Sequence, residues 1–118
     1  MREWWHWSPT QGDQLESFGI VGVGRFGTAV CQQLLQNGAE VLAVDRSARA
    51  IEELRQQLPS VEARVVDCTD EESLREAGIL AMNTVVIAIS EPIEASITAT
   101  LIAKDSEGTR VRRVIARA

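Results

Sequence analysis

The residues of this chain best suited to chemistry are three glycines, Gly22, Gly24 and Gly27, in the segment FGIVGVGRFGTAV. Their G-x-G-x-x-G spacing is typical of a turn in which bare backbone approaches the phosphates of a nucleotide. The first glycine would allow the tight turn, the second the approach of phosphate, and the third close packing of helix on strand. A purely structural glycine turn is the alternative, because the pattern alone is a weak signal.

A carboxylate further along the chain supports the nucleotide interpretation. Asp45 ends the apolar segment EVLAVD, about 20 residues after the glycines, where an acid can hold ribose hydroxyls. Its charge would repel a 2′-phosphate and so disfavours NADP, although Arg46 beside it weakens this exclusion. In a strand–helix–strand context the two features together predict a bound adenine nucleotide.

Arg25 lies inside the glycine loop, where a predicted helix begins. Its guanidinium can neutralise phosphate oxygens. Without an anion nearby, a cation there is mildly unfavourable, because the N-terminal end of the helix dipole is positive. A bound anion is therefore the favoured explanation, and a solvated charge is the alternative.

A second polar segment, VVDCTDEE, ends the third predicted strand. Asp67, Cys68 and Thr69 would lie at the carboxyl edge of the sheet, where the adenine end of a ligand is expected. Helix capping by Thr69 and Glu72 is an alternative reading that is compatible with the first. The acids of this loop lack the spacing and central glycine of a calcium site.

The elements that must position these residues alternate along the chain. Apolar runs and helical spacing predict strands within 17–23, 39–45, 61–67, 83–90 and 111–118, and helices over 25–37, 47–58, 69–78 and 92–108. This alternation predicts an α/β fold, a Rossmann-like doubly wound parallel sheet with helices on both faces. The glycine motif after the first strand favours strand order 3-2-1-4-5 over the flavodoxin-like order 2-1-3-4-5.

Length and composition fit one domain behind a short tail. The 118 residues predict a domain over 18–118, preceded by a tryptophan-rich tail and linker over 1–17. The tail either folds loosely against the body or contacts a partner or membrane surface, because indole rings favour interfaces. No apolar run approaches the ~20 residues of a membrane span.

Charge and cysteine content narrow the classes of partner. The net charge of −5 argues against nucleic-acid binding, so the arginines of RVRRVIAR are interpreted as a solvated sheet edge. Cys31 and Cys68 are interpreted as reduced thiols of a cytosolic protein, with a disulfide as the alternative. Two cysteines and one histidine, His6, are too few for a zinc site, so we expect no metal.

An enzyme remains the second interpretation of a nucleotide site in this chain. A small NAD-dependent oxidoreductase, or its cofactor-binding fragment, needs groups that transfer protons. The chain has no tyrosine, one lysine, Lys104, and one histidine, which lies in the tail. A glycine loop performs no reaction by itself. We therefore expect no catalytic residues.

The segments FGIVGVGRFG, EVLAVD, DCTDEESLREAGI, VVIAIS and ASITATLIAK resemble the regulatory RCK (TrkA-N or KTN) domain of bacterial potassium uptake systems. The resemblance is closest to the cytosolic gating subunit of Ktr- and Trk-type systems, and it covers residues 18–118. Its most specific element is the arginine in the glycine loop followed by phenylalanine, Arg25-Phe26.

The resemblance implies a nucleotide-sensing regulatory module that binds ATP, ADP or NAD(H) and controls a membrane potassium transporter or channel. It implies a homodimer or larger ring, held at the cytoplasmic face of the plasma membrane by its partner. The fold of the family usually continues into a sixth strand and a smaller C-terminal domain, which we expect this chain to lack. By position, the implied ligand contacts are Gly22, Gly24, Arg25, Phe26, Gly27, Asp45, Arg46, Ser47, Asp67, Cys68, Thr69, Ile89, Ser90, Glu91 and Arg117.

Overall fold

A computed structural model describes residues 16–116 of the chain. The predictions for the tryptophan-rich tail up to residue 15 and for Arg117 lie outside the described residues. Within them, the strands are β1 (Ser17–Val21), β2 (Glu40–Asp45), β3 (Glu62–Val65), β4 (Thr84–Ile87) and β5 (Arg113–Ala116). The α-helices are α1 (Arg25–Gln36), α2 (Ala48–Gln57), α3 (Glu71–Ala77) and α4 (Ile93–Asp105), and a 3₁₀ turn spans Ile79–Ala81.

The strands form one parallel sheet in the order β3-β2-β1-β4-β5, which confirms the predicted fold class and strand order. Successive residues of β1 point into two different cores, because side chains alternate across a strand. Ile20 packs with Cys31 of α1 and Ile51 of α2, whereas Val21 packs with Leu74 of α3 and Ala99 of α4. The helices therefore cover both faces of the sheet.

The N-terminus of α3 corrects one prediction from the sequence. Asp70, not Thr69, is the N-cap residue, and its Oδ2 accepts a hydrogen bond from the Ser73 amide at 3.0 Å. The Thr69 hydroxyl donates to Asp67 Oδ1 at 2.7 Å instead. Glu72 pairs with Arg75 at 2.9 Å rather than completing a capping box. The turn after β3 thus places the second of two adjacent cap-forming residues at the start of the helix.

Helix α4 turns small residues inward and large ones outward. Ala99 and Ala103 are buried against the sheet, whereas Ile93, Ile97 and Leu101 are exposed by 67, 54 and 54 %. The helix ends at Asp105, before the predicted stop near Gly108. None of the helices within residues 16–116 is long and apolar enough to cross a membrane.

Candidate nucleotide-binding site

The loop after β1 carries the first glycine in a conformation that requires it. Gly22 has φ +102°, a left-handed value that side chains disfavour, and its amide donates to the Val44 carbonyl at 2.8 Å. A Cβ atom at this position would come within 2.9 Å of the backbone of Ala88 and Ile89. The fold itself therefore explains this glycine, because the loop passes directly beside the end of β4.

The other two glycines of the motif differ sharply from each other. A Cβ atom at Gly27 would overlap the carbonyl oxygen of Gly22, so the close packing of α1 on the loop excludes any side chain there. Gly24 has φ −71°, and its Cβ atom would meet nothing within 4 Å. Neither backbone conformation nor packing within the described residues requires glycine at position 24.

Helix α1 begins directly after this unobstructed position. Gly24 is the N-cap residue and provides no side chain to cap the helix, and the first turn contains no acidic residue. Arg25 is exposed, and within residues 16–116 its guanidinium forms no hydrogen bond or ion pair. The first turn thus presents a positive dipole end and a cation without a counter-charge, which suits an anion.

The carboxylate of Asp45 connects the glycine loop to the turn after β2. Its Oδ2 accepts a hydrogen bond from the Val23 amide at 2.8 Å, and its Oδ1 accepts one from the Ser47 amide at 2.8 Å. The Ser47 side chain caps α2 by accepting from the Ala50 amide at 3.1 Å.

A cavity of about 210 Å³ opens at the carboxyl edge of the sheet, between the glycine loop and the turns after β2, β3 and β4. This position is where open α/β sheets bind ligands. Many of the sequence-predicted residues line it: Gly22, Gly24, Asp45, Arg46, Asp67, Cys68, Thr69, Ile89, Ser90 and Glu91. The cavity is smaller than a typical pocket for a drug-sized ligand.

The predicted site residues and the residues that line the cavity do not coincide completely. Arg25, Phe26, Gly27 and Ser47 belong to the elements around the cavity but do not line it. Ala88, Pro92 and Ala95 line the cavity without having been predicted. Their side chains are small or apolar, so the sequence held no chemical signal for them.

Two side chains in the turn after β3 have shifted pKa values. Burial, reinforced by the charges of Asp45 and Asp67, raises the pKa of the Cys68 thiol to about 12, so this thiol is protonated at neutral pH. Hydrogen bonds from the Thr69 hydroxyl and amide, and then the charge of Arg46, lower the pKa of Asp67. Cys68 therefore contributes packing rather than a nucleophile, and Asp67 contributes a negative charge.

The cavity has no arrangement suited to a metal ion. Among the residues that the structure describes, no group of three or more histidine, cysteine, aspartate or glutamate side chains could hold one. Cys31 is buried on the face of the sheet opposite to Cys68, and burial raises the pKa of its thiol to about 12. Both cysteines are free thiols.

The sheet order, the glycine loop and the cavity at the switch point define a Rossmann-type nucleotide-binding fold. The family model of the TrkA-N domain matches residues 18–118, and the chain belongs to this family. The resemblance noted in the sequence is thereby confirmed.

Named relatives place the family in potassium uptake. The chain is 41 % identical over 91 residues to Ktr system potassium uptake protein A of Vibrio alginolyticus, covering 77 % of this chain and 40 % of that protein. It is 37 % identical over 90 residues to Ktr system potassium uptake protein C of Bacillus subtilis, covering 76 % of this chain and 40 % of that protein. The chain thus spans less than half the length of these relatives.

A solved structure supports the same fold. The NAD(P)-binding domain of an exopolyphosphatase-related protein from Archaeoglobus fulgidus superposes with a TM-score of 0.71 at 25 % identity, covering 86 % of this chain and 71 % of that one.

Proposed function

We propose that this chain is a nucleotide-sensing regulatory module that binds ATP, ADP or NAD(H) and controls a membrane potassium transporter or channel. The observation that carries the proposal concerns Gly24, which lines the cavity. Neither the backbone conformation nor the packing of the described residues requires a glycine there. A ligand that touches the backbone accounts for it, because a methyl group there would obstruct only a bound molecule.

The proposed contacts divide the ligand among three parts of the cavity and the elements around it. The first turn of α1 and Arg25 receive the phosphates, since dipole and side chain are both positive there. Asp45 and the Ser47 hydroxyl hold the ribose, and Asp67 and Cys68 flank the adenine. Ile89, Ser90 and Glu91 close the cavity beyond β4, as the family resemblance implies.

Regulation requires a surface that responds to the ligand, and α4 is the surface that we propose. Pro92 and Ala95, at its start, line the cavity, while Ile93, Ile97 and Leu101 form an exposed apolar line on the same helix. We propose that this line pairs with its equivalent in a second copy, because an uncharged apolar line is self-complementary about a two-fold axis. A nucleotide that favours one dimer geometry would shift the population of states.

The membrane partner is proposed from the relatives alone. Because they are potassium uptake proteins, the partner of this chain would be an integral-membrane potassium transporter or channel subunit, and the chain would bind it on the cytoplasmic side. Nucleic acid is not a proposed partner, since the net charge is −5. An enzymatic role is not proposed either.

The decisive experiment measures thermal stability with ATP, ADP, NAD⁺ and NADH at equal concentrations. A ligand that binds only the native state at 100 times its Kd stabilises by about 2.7 kcal/mol, so the best ligand should raise the melting temperature by several degrees. No stabilisation by any of these nucleotides would refute the proposed function. Hydride transfer from NADH to a carbonyl substrate would instead favour the oxidoreductase interpretation.

Two glycine variants form a matched pair for this experiment. Gly38 also faces open space, but it has φ +82° and lies at the opposite end of α1 from Gly24. Gly38→Ala should cost about 1 kcal/mol of stability and leave nucleotide binding unchanged. Gly24→Ala should largely keep stability and lose nucleotide binding. A loss of stability with unchanged nucleotide binding in Gly24→Ala would show that Gly24 has a structural role.

A further inference from the structure

We propose that Asp45 is the positioning residue of the phosphate loop, in addition to any contact with ribose. The inference rests on the proposed nucleotide site. Val23 stands between Gly22 and Gly24, and its amide donates to Asp45 Oδ2 at 2.8 Å. The carboxylate thus bonds directly to the backbone that would receive the phosphates, and its role there does not depend on a sugar.

The surroundings of Val23 explain why this bond determines the orientation of the loop. The Val23 carbonyl accepts a hydrogen bond from the Thr28 hydroxyl at 3.1 Å, so its two backbone polar groups are each held by a side chain from another element. A Cβ atom at the next residue, Gly24, would meet no described atom within 4 Å. Because the acceptor is charged, the hydrogen bond from the Val23 amide is stronger than one to a neutral acceptor would be.

The second oxygen of the same carboxylate extends this effect to another wall of the cavity. Asp45 Oδ1 accepts from the Ser47 amide at 2.8 Å, which fixes the turn between β2 and α2. One side chain therefore sets the spacing between the phosphate loop and the ribose turn. Loss of the carboxylate should release both walls, and so it should weaken ligands that contain phosphate but no ribose.

Inorganic pyrophosphate separates this role from a simple ribose contact. If Asp45 only held ribose, Asp45→Asn would leave pyrophosphate affinity unchanged or increase it, because a repelling charge is removed. If Asp45 positions the loop, the same variant should bind pyrophosphate about tenfold more weakly, as expected for one disrupted charge-assisted bond. Isothermal titration calorimetry of the variants measures this, and unchanged or tighter binding by Asp45→Asn overturns the proposal.

Asp105→Asn is the charge-matched control. Asp105 is exposed at the end of α4 and does not line the cavity. The Asp105→Asn chain should bind pyrophosphate as tightly as the unaltered chain. Asp45→Glu keeps the charge and alters only the reach, so it should weaken pyrophosphate binding too. Full affinity in Asp45→Glu overturns the proposal.

Amide hydrogen exchange tests the same bond without any ligand. In the nucleotide-free chain, the Val23 amide should be protected to a degree similar to that of the Gly22 amide, which donates to the Val44 carbonyl. Asp45→Asn should accelerate Val23 exchange at least about tenfold and leave Gly22 protected. Rapid Val23 exchange in the unaltered chain overturns the proposal, even if pyrophosphate does not bind or Asp45→Asn does not fold. Failure of the proposed function would appear separately, as no stabilisation by adenine nucleotides.

Discussion

The helices α1 and α3 begin at the same edge of one sheet, yet their first turns are built in opposite ways. Helix α3 has Asp70 as a side-chain cap and two acids, Glu71 and Glu72, in its first turn. Helix α1 has Gly24 as its N-cap, no acid in its first turn and a cation, Arg25. The N-terminus of α3 has a side-chain cap and acids in its first turn, and that of α1 has neither.

This difference teaches where a ligand is expected. Capping is worth about 1 kcal/mol, and α1, like α4, begins without a side-chain cap, whereas α2 and α3 each have one. Helix α1, which has no side-chain cap, starts at the cavity directly after Gly24, where packing does not require a glycine. The capped helix stabilises the fold, and the uncapped one is suited to an anion.

The largest expected effect separates the two glycines around the start of α1. Gly27→Ala places a methyl group against the Gly22 carbonyl and should cost about 3 kcal/mol or more of the free energy of unfolding. Gly24→Ala meets open space and should cost no more than about 1 kcal/mol. Urea denaturation measures both values, and equal losses would remove the distinction between a structural and a ligand-contacting glycine.

The next effect concerns the cation of the uncapped helix. Arg25→Ala should weaken ATP binding by about 10- to 100-fold, because a charged hydrogen bond contributes about 1.5–3 kcal/mol. It should weaken NAD⁺ less if Arg25 contacts the terminal phosphate. Without nucleotide, the variant should be as stable as the unaltered chain or slightly more stable. Arg49→Ala, which removes an exposed arginine paired with Glu53, is the control and should not change ATP affinity.

The capped helix should show the reverse behaviour. Asp70→Ala removes the acceptor for the Ser73 amide and should cost about 1 kcal/mol of stability. Nucleotide affinity, measured by calorimetry, should not change, because Asp70 does not line the cavity. A marked loss of affinity would mean that both helix termini serve the ligand.

The smallest effect is a dependence on pH at the turn before α3. Asp67 has a lowered pKa in the folded chain, so its carboxylate stabilises the fold above the unfolded pKa of about 3.9. This contribution is lost as the pH falls through the folded pKa. Asp67→Asn should therefore be less stable than the unaltered chain at pH 7, and the difference in stability should be smaller at pH 3, as measured by urea denaturation. An equal difference at both pH values would contradict the sign of the shift.

Much of the architecture was predictable because local patterns coincide with the fold. The apolar segments and the helical spacing located the elements, and the glycine motif selected the strand order that the sheet has. The predicted residues after β2, β3 and β4 converge on one cavity, since parallel strands end at a common edge. Their roles toward a ligand stay predictions.

Other features depended on neighbours that no local pattern reveals. The capping role of Thr69 was predicted wrongly, because the turn geometry chose between two adjacent residues of similar capacity. Ala88, Pro92 and Ala95 were missed as cavity residues, since small and apolar side chains carry no chemical signal of their own. The outward direction of Ile93, Ile97 and Leu101 follows from which side of α4 rests on the sheet.

The sequence by itself determined the order of elements, the strand topology and the family, because periodicity, turn residues and motif spacing are local properties of the chain. Only the tertiary structure decided which glycines of the motif the packing requires and which one it does not. It also decided that Asp45 bonds to the backbone of the glycine loop. These facts depend on distances between segments far apart in the chain, and only packing sets such distances.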